Sequence, residues 1–114
     1  MSKLEEDFLG DLVRDSHELW ELYGFVRLHH PNFLADEILR CGRELLTGWL
    51  EQGWLKVSKS RTDRSPLSAT RFLAAIDKLG LNVMDADKGV FLLQLTERAS
   101  KDMPRFSLGP KKDS

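Results

Sequence analysis

Leu4, Phe8 and Leu12 stand four residues apart, with Leu9 and Val13 beside them, a spacing that predicts an amphipathic helix through about Arg14. Ser2 followed by Glu5 reads as a capping box that opens it. A second helix is predicted over 17–29, capped by Asp15 or Ser16, with Leu19, Trp20, Leu22, Tyr23 and Val26 facing inward. The gap between the two is short enough that they could form one bent rod. His30-Pro31-Asn32 is a stop and a fresh cap, because proline disfavours helical geometry in the residue before it. Leu34, Ile38, Cys41, Leu45 and Trp49 then mark a third, unbroken helix over 34–52. It stops at Gly53, and apolar extended residues follow without a linker over 54–58.

The stretch 59–66 is polar and basic with no apolar period, and is predicted as a loop. A fourth helix follows, capped by Ser65 or Ser68, with Pro66 in its first turn and Leu67, Phe72, Leu73, Ile76 and Leu79 buried before Gly80. Residues 85–89 carry turn chemistry. Residues 90–95 read as a buried strand that pairs antiparallel with 54–58. Thr96 caps a short helix over 97–103, which Pro104 closes, and the composition of 105–114 predicts a mobile tail. The expected fold is therefore mainly α with a small antiparallel sheet, an α+β domain over residues 1–104.

A chain of 114 residues suffices for one core and is short for two. Its longest apolar runs fall far below the roughly 20 residues that span a bilayer. The polar, acidic start lacks the basic and apolar regions of an export signal, so the cytoplasm is the expected compartment. Net charge is −1, yet residues 1–51 carry eleven acids against five bases (−6) and residues 52–114 twelve bases against seven acids (+5). The lone cysteine, Cys41, lies within a predicted helix and is read as a small buried hydrophobe.

Candidate chemistry is sparse. His29 and His30 are adjacent and point to different sides, and Cys41 lies on another predicted helix, so the three histidines, His17 included, are read as exposed helix-end residues and no metal or other cofactor is expected. No nucleophile elbow or phosphate-cradling glycine run is present, and an enzyme is not expected. Nucleic-acid binding is the main rival to a protein-binding role. The third helix carries Asp36, Glu37, Glu44 and Glu51 against Arg40 and Arg43, a charge that repels phosphates. The cluster Lys56, Lys59, Arg61, Arg64 and Arg71 keeps the alternative open, since a basic loop can straddle a backbone.

Three helices ending at Gly53, a strand, an insertion and a returning strand that ends in Leu95-Thr96-Glu97 resemble winged-helix proteins over roughly 16–103. The departures are the unbroken third helix and the helical insertion over 59–88. The resemblance implies a winged-helix-like body, and the missing basic reader implies a protein-interaction module. In size, acidic face and lack of catalytic residues the chain also resembles small bacterial toxin-immunity proteins. That resemblance implies a basic, nuclease-like protein partner met by Glu5, Asp11, Asp15, Glu18 and Glu21, with Phe33 or Trp54 as an apolar anchor. The alternative is a DNA-binding transcriptional regulator that uses the basic 56–71 segment. Oligomeric state is left open.

Overall fold

A computed structural model describes residues 1–106 of the chain. Helix α1 (Lys3–Arg14) opens on the predicted capping box: the Ser2 hydroxyl accepts from the Glu5 N–H at 3.2 Å and Glu5 Oε1 accepts from the Ser2 N–H at 3.1 Å. Two extended residues, β1 (His17–Glu18), separate it from α2 (Leu19–His29), so the bent-rod alternative does not hold. Neither Asp15 nor Ser16 caps α2. Glu18 is the N-cap residue, and the Glu21 carboxylate accepts its N–H at 2.8 Å. The cap shifts because the Leu19 N–H bonds the Phe91 carbonyl at 2.8 Å, which draws His17 and Glu18 into the sheet.

Helix α3 (Ala35–Glu51) runs through Cys41 and Gly42 without a break and buries Ile38, Gly42, Leu46 and Trp49. Its N-cap is Leu34 rather than Asn32, and Leu34 points to solvent instead of joining the apolar stripe. At the other end Gly53 adopts φ 77°, the left-handed region that glycine enters without a Cβ clash. Its N–H donates to the Leu50 carbonyl and that of Trp54 to Trp49, at 3.0 and 2.9 Å. This pair of bonds is the Schellman stop, which satisfies carbonyls that the helix end would orphan.

The chain then enters β2 (Leu55–Ser58), which pairs antiparallel with β4 (Leu92–Leu95) in the register Leu55 to Leu95 and Val57 to Leu93. Two short strands complete a sheet of order β1-β4-β2-β3, where β3 is Pro66–Leu67. Pro66 thus lies in a strand, not in the first turn of a helix. At the edge of the sheet its missing N–H leaves no central ladder bond unmade. Helix α4 (Ala69–Leu79) is capped by Ser68, and Gly80 leads into a 3-10 turn, Gly80–Met84, that the apolar pattern does not reveal. Helix α5 (Glu97–Asp102) is capped by Thr96.

The core lies between α1, α2, α3, α4 and one face of the sheet. Phe8 is fully buried, stacked on Trp49 with ring centroids 5.7 Å apart and edge-on to Phe25 at 5.1 Å. The Trp49 indole N–H donates to Glu5 at 3.1 Å, tying the last turns of α3 to the start of α1. A second 3-10 turn, Pro104–Phe106, packs against α1 and buries Phe106. Residues 105 and 106 therefore belong to the body rather than to the tail. The rest of that tail, 107–114, lies outside the described residues.

Candidate functional site

The acidic residues singled out in the sequence do not form one free surface. Glu5 is engaged by Ser2 and Trp49, and Asp15 accepts from the Ser16 N–H at 2.8 Å at the end of α1. Glu18 accepts from the Trp20 indole at 2.7 Å and lies 3.3 Å from the Arg61 guanidinium. Glu21 meets His17 Nδ1 at 2.8 Å and Arg61 Nη2 at 3.8 Å. Asp11 Oδ2 stands 3.6 Å from His17 Nε2. The expected negative face is thus partly neutralised from within, by an arginine some forty residues away in sequence.

Arg61 brings this about because the loop between β2 and β3 folds back on the sheet. Its guanidinium also donates to the carbonyl and hydroxyl of Ser16, both at 3.3 Å. The loop is braced by Asp63, whose carboxylate accepts from the N–H and hydroxyl of Ser65 at 3.0 and 2.6 Å. Those two bonds hold the Asp63 carboxyl below its usual range. Arg64 reaches back to the Arg61 carbonyl at 3.1 Å. Of the basic cluster, Lys56 is exposed on β2 opposite Gln94, Arg71 is exposed on the first turn of α4, and Lys59 and Arg64 flank the loop. These four make no ion pair among the described residues.

The histidines are not free helix-end groups. The His17 side chain is 17% exposed, stacked on Phe8 and flanked by the carboxylates of Asp11 and Glu21. His29 pairs with Asp7 at 3.0 Å, and His30 stacks on Phe33 with centroids 4.3 Å apart. Trp54 is spent as a brace: its indole N–H donates to Asp102 at 2.9 Å, a bond that, with help from Arg98, holds the Asp102 carboxyl below its usual range. Phe33 remains half-buried at the corner between α2 and α3, beside groups the sequence reading missed. Leu28 is 77% and Leu34 68% exposed there. The leucine periodicity assigned Leu34 to the core; the break at Pro31 is the signal that could have placed it outside.

The outward side of α3 carries a groove of about 210 Å³ lined by Phe33, Glu37, Arg40, Cys41 and Glu44. Asp36, Glu44 and Glu51 are exposed along the helix and make no ion pair among the described residues. Arg43 faces the other way, with bonds of 2.6 and 2.8 Å to the two oxygens of Asp77. Cys41 is half-buried in the groove rather than enclosed, and burial raises its thiol above the ordinary value, a setting that keeps it protonated and unreactive. No helix among the described residues is long and apolar enough to cross a membrane. No protein-family model, curated protein or solved structure matches this chain.

Proposed function

We propose that this chain is a non-enzymatic protein-binding module that occludes a basic partner, in the manner of the small bacterial immunity proteins it resembles. The partner class is a cationic protein such as a toxic nuclease, and the body is winged-helix-like. The observation that carries the reading is the groove on α3, where a half-buried aromatic ring sits beside two carboxylates, Glu37 and Glu44. A partner lysine or arginine fits such a groove with its aliphatic stem on Phe33 and its charge at the carboxylates. Leu28, near the end of α2, and Leu34, the N-cap of α3, are exposed and supply apolar anchors, and the unpaired Asp36, Glu44 and Glu51 outnumber the unpaired Arg40 on this helix. Apolar anchors supply affinity, while complementary charge steers encounter and rejects wrong partners. The docking surface therefore moves from the α1–α2 carboxylates expected at first to the corner of α2 and α3.

A regulator that reads DNA is the second reading, favoured by the exposed and unpaired Lys56, Lys59, Arg64 and Arg71. Affinity capture from cell extract, quantified by mass spectrometry, tests the fork alongside retention on duplex DNA. A basic protein retained by the wild type and lost in Leu34→Asp and Glu44→Lys, but kept in Arg64→Ala/Arg71→Ala, supports the module. Salt-sensitive DNA retention that vanishes in Arg64→Ala/Arg71→Ala and survives Glu44→Lys overturns it.

A further inference from the structure

Adjoining the groove on α3, and sharing Arg40 with it, lies an open cavity of about 200 Å³. Leu39, Ile76 and Val83 form apolar walls, Gly80 lies at its edge, and Arg40, Arg43 and Asp77 line it with charge. Tyr23 also lines it. Its side chain is buried, at 2% exposure, with the ring lying on Gly42, yet its hydroxyl makes no hydrogen bond to any described residue. The hydroxyl is not an enclosed orphan, so it opens on the cavity and can donate to something that enters.

The charges specify what that is. Arg43 is matched by Asp77 through two parallel bonds, which leaves Arg40, exposed and without an ion pair among the described residues, as the one uncompensated cation on the wall. A single negative charge balances it, whereas a phosphate dianion would leave a surplus beside Asp77. The volume exceeds the roughly 150 Å³ that accommodates a benzene ring in an apolar protein cavity. From this we infer that the cavity binds a small monocarboxylate with a short apolar body, one oxygen accepting from the Tyr23 hydroxyl and the charge meeting Arg40. Burial raises the Tyr23 phenol above its ordinary value, so it stays a neutral donor throughout the physiological range. Arg40 lines both this cavity and the proposed docking groove, but binding of a small acid is read directly on the chain and does not require a protein partner.

Titration of the full chain with benzoate and hexanoate, followed by ¹H–¹⁵N NMR, tests the inference, with benzamide and hexanamide as neutral controls. Saturable shifts at Leu39, Gly80 and Val83 are expected, with the amides weaker by roughly tenfold, the loss that removing a charge-assisted hydrogen bond produces. Arg40→Gln lies on the surface, leaves the core untouched and lowers carboxylate affinity by a similar factor. Tyr23→Phe keeps the ring on Gly42 and weakens binding several-fold. Absence of saturable shifts for every probe at millimolar concentration overturns the site. So does equal binding of acid and amide, or undiminished affinity in Arg40→Gln.

Discussion

Two glycines six residues apart in one helix are expected to respond to the same substitution with opposite sign. Gly42 and Gly48 both lie inside α3, where replacing glycine by alanine gains about 1 kcal/mol of helix propensity. A methyl at Gly48 meets nothing within 4 Å, so Gly48→Ala should stabilise by about that amount. A methyl at Gly42 falls on the Tyr23 ring, against Cε1 and within 2.9 and 3.0 Å of Cζ and Cδ1. That ring is buried between α2 and α3 and cannot swing into solvent, so the clash is relieved only by moving the helices apart or forcing a rotamer. Overpacking of this kind costs about 1–3 kcal/mol, which exceeds the propensity gain and leaves Gly42→Ala destabilised by about 1 kcal/mol. Urea denaturation followed by circular dichroism reads both changes, and in thermal melts each corresponds to about 4 °C in a domain of this size. Tyr23→Leu in the Gly42→Ala background should recover part of the loss, a non-additivity that assigns the cost to this pair. Stabilisation of Gly42→Ala to the same degree as Gly48→Ala would refute the close approach of α2 and α3.

Arg61→Ala should cost about 1 kcal/mol, because the guanidinium is 43% exposed while Glu18 and Glu21, at 20% and 25%, are left half-buried without it; unchanged stability together with unchanged amide exchange at Asp63 and Ser65 would sink the loop anchor. Thr96 both caps α5 and donates to the Gly53 carbonyl at 2.6 Å, so Thr96→Ala should cost about 2 kcal/mol in urea melts and Thr96→Ser much less. Equal losses for the two variants would show that the hydroxyl is idle. The bonds from Arg43 hold the Asp77 carboxyl below its usual range. Since the folded value is lowered, the pair's contribution is complete above the unfolded carboxyl value near pH 4 and is lost as pH falls through the folded one. Exposure of both partners keeps it below about 1 kcal/mol. A carboxyl ¹³C titration should place the Asp77 midpoint below that of a free aspartate and move it up in Arg43→Gln; an unmoved midpoint would refute the coupling.

Much of the architecture was legible along the chain because it rests on near-neighbour physics. The capping box at Ser2 and Glu5, the Ser68 and Thr96 caps, and the Gly53 stop all join groups within five residues of each other, so composition and spacing carry them. The pairing of β2 with β4 followed from two apolar runs having each other as partners. Strands β1 and β3, of two residues each, are too short to show a period and form only because neighbouring backbone has groups to satisfy. The candidate site belongs mostly to this second kind. That Glu18 and Glu21 are met by Arg61, that Tyr23 lies on Gly42 with its hydroxyl unpartnered, and that Leu34 turns outward beside Phe33 are matters of which distant groups the packing brings within a few ångströms. Local periodicity states which face of a helix is apolar; only the packed chain decides which charges cancel across it and which are left for a partner.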